Sequence, residues 1–149
     1  MSKPQFVYVT YIWSTPEEIW RGLTEKEFTQ LYWMHENVSD WKVGSPWTHE
    51  QLNAERTVDI VGEVLESDPP RKLVLSWAQP KEAGKPGKTS RVSFELEPVD
   101  WPHGPWTQLR IAHTDLEPGS EMLESVSFGW PAVLSGLKTL LETRVAQKA

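Results

Sequence analysis

The sequence predicts an α+β fold, in which a curved antiparallel sheet of about six or seven strands packs around a long C-terminal helix. Between residues 56 and 114, apolar and polar side chains alternate with a period of two, which is typical of antiparallel strands with one covered face. Between residues 130 and 145, apolar side chains recur every three or four positions, which predicts a helix. A sheet with one apolar face needs a covering layer, and this helix can supply it.

The first forty residues predict one strand followed by two short helices. Residues 6–13 are mostly β-branched or aromatic, which favours a strand. Thr15 is a good N-cap and Pro16 fits the first helical position. Thr24 and Glu27 have capping-box spacing, so a second short helix is expected to begin there.

The middle of the chain predicts shorter strands separated by turns. Residues 38–43 and 46–52 have strand composition and flank a turn at Gly44. The segment 56–67 predicts a longer strand, with Gly62 as a candidate bulge. The prolines in residues 68–71 cannot donate to a sheet ladder and therefore predict a tight turn.

Three further strands are expected to place their apolar side chains on one face. These side chains are Leu73, Leu75 and Trp77, then Val92, Phe94 and Leu96, then Leu109, Ile111 and His113. The C-terminal helix is expected over roughly residues 130–146, with Pro131 in its first turn or at a kink. Residues 120–128 are expected to form a helical lead-in that joins at an angle.

Length and composition limit the classes of function. A chain of 149 residues is most simply one domain, spanning residues 1–149. It has no Cys, which excludes disulfides and thiolate metal sites and fits a cytoplasmic location. Its net charge of −6 disfavours binding to nucleic acid, and no apolar run approaches the ~20 residues needed to insert across a membrane. Nine Trp favour apolar packing or an apolar ligand.

Several stretches together resemble the START-like or SRPBCC superfamily, which has the helix-grip fold of the birch pollen allergen. Within it, the chain is similar to the branch named for the activator of heat-shock-protein-90 ATPase. The matching stretches are TPEEIWRGLTEKEF (15–28), SDWKVGSPW (39–47), GEVLESDPPRKLVLSW (62–77), VSFELEP (92–98), LRIAHTDL (109–116) and GWPAVLSGLKTLLE (129–142). The resemblance implies the fold more strongly than a function, because the superfamily includes lipid carriers, receptors, cyclases and chaperone activators.

The same resemblance implies a space between the sheet and the long helix. The residues expected around it are Trp33, His35, Trp41, Trp47, Trp77, Phe94, Ile111, His113, Trp130 and Leu134. Two interpretations of these aromatic side chains stay open, namely a filled core and a partly open apolar pocket. His113 is expected to point inward, either as a structural histidine or as a polar contact for a ligand. His49 and His103 are expected to be exposed.

The sequence predicts no catalytic residue, no metal site and no cofactor. It contains no cluster with metal-ligand spacing, no nucleophile elbow and no glycine-rich phosphate loop. His113 with Tyr11 or Glu63 is the one weak set of acid–base candidates, and Glu63 is expected to be exposed.

The leading prediction is therefore non-enzymatic binding of a small apolar, aromatic or acyl ligand. Two alternatives stay open, which are a chaperone-associated interaction role and a cyclase- or hydrolase-type enzyme that uses the same cavity. A homodimer also stays open, and the sequence itself contains no support for a chaperone contact.

Overall fold

The fold, from a computed structural model that describes residues 3–148, has the predicted order of one strand, two short helices, six strands and one long helix. The elements are β1 (Phe6–Ile12), α1 (Pro16–Thr24), α2 (Lys26–Tyr32), β2 (His35–Val38), β3 (Pro46–Gln51), β4 (Val58–Asp68), β5 (Lys72–Trp77), β6 (Ser90–Val99), β7 (Trp106–Thr114) and α3 (Glu121–Lys148). The seven strands form one antiparallel sheet in the order β1-β7-β6-β5-β4-β3-β2. The predicted α+β class and helix-grip architecture are thus confirmed.

The core lies between the inner face of the sheet and α3. The predicted inward faces of β5, β6 and β7 are confirmed, because every one of their nine named side chains is buried. Leu134, Leu137 and Leu141 of α3 are buried in the same apolar cluster. Burying a side chain of this size stabilises the fold by roughly 1.5–3 kcal/mol. The stripe at three- and four-residue spacing is therefore the face with which α3 covers the sheet.

The long helix begins earlier than the sequence predicted. It starts at Glu121 and continues through Pro131, so residues 120–128 are not a separate lead-in and Pro131 is not in a first turn. A proline inside a helix removes one backbone hydrogen bond and disfavours it by about 3 kcal/mol. Val126 and Trp130 are buried in the core on the N-terminal part of the helix, and this packing offsets the loss. No helix within residues 3–148 is long and apolar enough to cross a bilayer.

Gly62 is not the bulge that the sequence predicted. The pairing of β4 shifts instead at Asp59, opposite β3, and at Leu65, opposite β5. Gly62 is needed for close approach, because a Cβ there would lie 1.9 Å from the carbonyl oxygen of Ser76 and 2.4 Å from Nε1 of Trp47. That space holds the hydrogen bond from the Trp47 indole to the Ser76 carbonyl, at 2.8 Å.

One predicted strand is displaced along the chain. The strand predicted over residues 38–43 lies earlier in the chain, because β2 spans His35–Val38. Residues 39–42 are irregular, and the side chains of Ser39 and Asp40 accept hydrogen bonds from the backbone N–H groups of Trp41 and Lys42.

The predicted capping box of α2 does not form. The hydroxyl of Thr24 donates to the carbonyl of Trp20 within α1, and Glu25 occupies the N-cap of α2 without a side-chain hydrogen bond. By contrast, the Thr15 hydroxyl caps α1 as predicted.

Candidate functional site

A cleft of about 140 Å³ opens between the inner face of the sheet and the N-terminal half of α3. Its lining comes from the end of α2, from β3 and β5, and from one face of α3. The lining residues are Trp33, His49, Trp77, Ser125, Val126, Gly129, Trp130 and Val133. The volume is close to that of an engineered apolar cavity of about 150 Å³ that binds benzene, so the cleft can hold one aromatic ring.

Aromatic rings in mutual contact form the walls of this cleft. The ring centre of Trp77 lies 5.4 Å from that of Trp130, and Trp33 packs edge-on against Trp130 at 5.7 Å. His49 lies 4.7 Å from Trp33 and 6.2 Å from Trp77, again between ring centres. These separations fall in the range of favourable aromatic pairs. The rings pack against one another and also border the cleft, so the filled core and the partly open pocket both stay open as interpretations.

Gly129 forms an open part of the α3 wall. A Cβ built on Gly129 would meet no atom within 4 Å. Ser125, Gly129 and Val133 follow one another at four-residue spacing, so they line one face of the helix. Ser125 and Gly129 were not expected here because the helix was predicted to begin at residue 130, whereas Val133 lies within the predicted helix.

His113 is fully buried behind the cleft. Its Nδ1 accepts a hydrogen bond from the indole N–H of Trp130 at 3.1 Å, and its Nε2 lies 2.7 Å from the hydroxyl of Ser90. Burial lowers the pKa of His113 to about 4, so the ring is neutral. Both ring nitrogens already have partners, which favours the structural interpretation of this residue over a polar contact for a ligand.

His49 is buried and not exposed, contrary to the sequence prediction, and only 5% of its surface reaches solvent. His49 is buried because β3 lies between β2 and β4 in the sheet and because the Trp33 ring covers it. Burial, followed by the nearby charge of His35, lowers the pKa of His49 to about 3, and Asp59 opposes the shift. His49 is the polar ring in the cleft wall that the sequence analysis missed. His103 is exposed, as predicted.

His35 lies on the other side of His49 from the cleft. The two imidazole rings stack at 4.1 Å between centres and are nearly parallel. Nδ1 of His35 donates to the carbonyl of Trp33, and Nε2 lies 2.8 Å from a carboxylate oxygen of Asp59. Burial alone would raise the pKa of Asp59, but hydrogen bonds from His35 and Gln51 outweigh it and lower that pKa. His35 therefore supports the cleft wall without lining it.

The remaining predicted site residues lie around the cleft or away from it. Trp47 is buried beneath Trp77, with ring centres 5.4 Å apart, and Phe94 packs edge-on against Trp130. Ile111 and Leu134 belong to the core. Trp41 is half-buried against the core cluster and does not line the cleft.

The three acid–base candidates do not converge. His113 is enclosed, Glu63 is exposed, and Tyr11 is 49% exposed on the outer side of β1, where its hydroxyl accepts from Gln108. Among residues 3–148, no group of three or more His, Asp or Glu side chains has a metal-binding arrangement. These side chains therefore do not form one site.

A curved antiparallel sheet that grips a long C-terminal helix, with a small cleft between them, defines a START-like protein of the helix-grip class. The family model described as "Activator of Hsp90 ATPase homolog 1-like protein" matches residues 14–142. The chain belongs to this family, which confirms the branch that the sequence resembled.

Solved structures support the same fold. A Mesorhizobium loti protein is 26% identical, with a TM-score of 0.75, and the match covers 94% of this chain and 98% of that one. A Plasmodium falciparum protein titled an HSP90 activator is 22% identical, with a TM-score of 0.73 and coverage of 92% and 95%. The Aha1 dimer of Colwellia psychrerythraea is 20% identical, with a TM-score of 0.73 and coverage of 93% and 96%. No curated protein matches the chain.

Proposed function

We propose that the protein binds, without chemical change, a small apolar molecule the size of one aromatic ring in the cleft between the sheet and α3. The observation that carries this proposal is the open space beside Gly129, which is bordered by the rings of Trp33, Trp77 and Trp130. Ligand sites are typically apolar, with a small number of polar groups that orient the ligand. His49 supplies such a group here.

Contact with a chaperone is the alternative that the family name suggests. The name HSP90 activator belongs to the Plasmodium protein, and at 22% identity that likeness shows the fold alone. Ligand binding is preferred because it follows from a feature of this chain, namely the aromatic cleft.

The test is a titration of the protein with toluene, ethylbenzene and 4-methylphenol, followed by intrinsic tryptophan fluorescence. Three Trp side chains border the cleft, so an occupant is expected to change their emission in a saturable way. Native mass spectrometry of freshly purified protein adds a second readout, which is the presence of a co-purifying small molecule.

Two substitutions in α3 make the test specific to the cleft. Gly129→Phe places a ring in the open space and is expected to abolish saturable binding. Ala132→Phe puts the same ring on an exposed position of the same helix and is expected to bind as the original protein does. Absence of saturable binding to all three probes, together with no co-purifying molecule, would refute the proposal.

A further inference from the structure

The cleft wall contains a hydrogen-bond acceptor with no partner, and its identity follows from the hydrogen bonds around His49. The side-chain nitrogen of Asn37 donates to the carbonyl of Leu23 at 2.8 Å, which fixes the amide so that its oxygen faces His49. Nδ1 of His49 lies 2.6 Å from that oxygen and must therefore carry the proton. In a neutral imidazole the other nitrogen, Nε2, is then an acceptor.

Nε2 of His49 makes no hydrogen bond to any residue between 3 and 148, although Nδ1 of the same ring does. The residue is 95% removed from solvent, since 5% of its surface is exposed. Nε2 itself is not enclosed, because the fully buried unpaired polar atoms within residues 3–148 are Ser14 Oγ, Thr29 Oγ1 and Arg144 Nε. Water can therefore reach this acceptor, and an occupant of the cleft that displaces the water keeps the hydrogen bond only if it donates to Nε2.

The cleft wall at His49 is uncharged. Burial lowers the pKa of His49 to about 3, so its ring is neutral, and the Asp59 carboxylate is held by hydrogen bonds with His35 and Gln51 outside the lining. None of the residues that line the cleft is Lys or Arg. A bound carboxylate would therefore be desolvated without a cation to balance it.

Most of the indole donors of the cleft are already used within the protein. The N–H of Trp130 donates to His113, and that of Trp77 points at the sulfur of Met122 at 3.3 Å. The N–H of Trp33 makes no hydrogen bond within residues 3–148, which suits a hydroxyl because a hydroxyl accepts as well as donates. Within residues 3–148, the rings that line the cleft thus leave one acceptor, Nε2 of His49, and one donor, the N–H of Trp33, without a partner.

We infer that Nε2 of His49 selects the ligand, and that the ligand class is a neutral single-ring aromatic molecule carrying a hydroxyl or N–H donor, such as a phenol. This inference rests on the proposed function, because it assumes that the cleft is occupied. It adds a chemical preference that the apolar walls alone would not impose, since walls of indole bind a phenol and its methyl ether alike.

The experiment compares three matched probes, 4-fluorophenol, 4-fluoroanisole and 4-fluorobenzoate, by fluorine NMR titration of the original protein. The phenol is expected to bind about tenfold more tightly than the ether, a factor that corresponds to about 1.4 kcal/mol. The benzoate is expected to bind more weakly than the ether. Equal affinity of phenol and ether, or tightest binding of the benzoate, would overturn the inference while leaving the binding function intact. Absence of binding by all three, while toluene binds, would also overturn the inference alone, and absence of binding by these probes, by toluene and of any co-purifying molecule would refute the function and the inference together.

Replacement of His49 tests whether this residue causes the preference for the phenol over the ether. His49→Phe keeps an aromatic ring against Trp33 and His35 and removes both nitrogens, so the phenol and the ether are expected to bind equally. His103→Phe changes an exposed histidine in a loop and is expected to keep the tenfold preference. A retained preference in a folded His49→Phe protein would assign the selectivity elsewhere. If that variant does not fold, the ranking of the three probes on the original protein still decides the inference.

Discussion

The indole N–H of Trp130 donates to Nδ1 of His113 over 3.1 Å, and this bond determines the tautomer of a fully buried histidine. Since Nδ1 accepts, Nε2 carries the proton and donates to the hydroxyl of Ser90, 2.7 Å away. The Ser90 hydroxyl in turn donates to the carbonyl of Trp77. This chain of bonds joins α3 to β5, β6 and β7 through polar groups in an otherwise apolar core.

The two buried histidines predict a loss of stability in mild acid. The pKa is about 4 for His113 and about 3 for His49 in the folded protein, against about 6.5 in an unfolded chain. As the pH falls below about 6.5, the unfolded chain binds protons that the folded protein does not bind. The free energy of unfolding is therefore expected to be greatest above that pH. It should fall by up to about 1.4 kcal/mol per pH unit for each histidine, until the pH reaches the folded pKa values.

Urea unfolding at a series of pH values between about 7.5 and 4.5 measures this slope. His49→Gln is expected to make the slope shallower, because one of the two groups is removed. His103→Gln, at an exposed position, should leave it unchanged. A flat profile between those pH values would show that the buried rings do not resist protonation.

Substitution of Gly62 is expected to be severe. In Gly62→Ala, the new Cβ would overlap the backbone oxygen of Ser76, at 1.9 Å, and the indole nitrogen of Trp47, at 2.4 Å. Strand separation would have to change, and the loss of stability is expected to exceed about 3 kcal/mol, beyond the usual range for point changes. Thermal and urea unfolding are the measurements.

Gly129→Ala is the matched control for that substitution. It adds the same methyl group where no atom lies within 4 Å, and it replaces glycine in a helix interior. Stability is expected to rise by about 0.5–1 kcal/mol. If both alanine variants changed stability equally, the close approach at Gly62 would have no energetic role.

Much of the fold was predictable because it follows from local periodicity. The alternation in β5, β6 and β7 predicted the inward faces correctly, and the apolar stripe between residues 130 and 145 predicted the helix that covers the sheet. The start of α3 was not predictable, because Pro131 is a strong signal against a helix interior. Tertiary packing of Val126 and Trp130 overrides that signal.

The candidate site was predictable only in its residue types. Trp33, Trp77 and Trp130 were expected around the cavity and do line it, but Trp41 does not and Trp47 lies below it. His49 was missed because its burial depends on the Trp33 ring, which reaches β3 from the end of α2. Such a contact between distant segments has no periodic signature in the chain.

Leu137 gives a direct measure of how well α3 is packed. It is completely buried and belongs to the main apolar cluster. Leu137→Ala is expected to lower the free energy of unfolding by about 2–5 kcal/mol, from lost apolar burial and the cavity left behind. Leu140→Ala on the neighbouring, partly buried face should cost less. A loss below about 1 kcal/mol for Leu137→Ala would mean that the helix stripe is not tightly packed.

Trp130→Phe separates the hydrogen bond to His113 from the aromatic packing. The phenyl ring keeps an apolar group in place but removes the N–H, so Nδ1 of His113 loses its donor. Two effects are expected. Stability should fall by about 1–3 kcal/mol, because a buried acceptor is left unpaired. The pKa of His113 should rise from about 4, because a proton on Nδ1 no longer meets an indole N–H.

Nitrogen NMR of the imidazole ring during a pH titration reads both the tautomer and the pKa. The original protein is expected to show the form protonated at Nε2, and Trp130→Phe a mixture of tautomers with a higher pKa. Trp47→Phe is the matched control, because it also removes a buried indole N–H, but one that donates to the Ser76 carbonyl. It should lose stability and leave the tautomer of His113 unchanged. If the two variants leave His113 in the same tautomer with the same pKa, the bond from Trp130 does not determine its protonation.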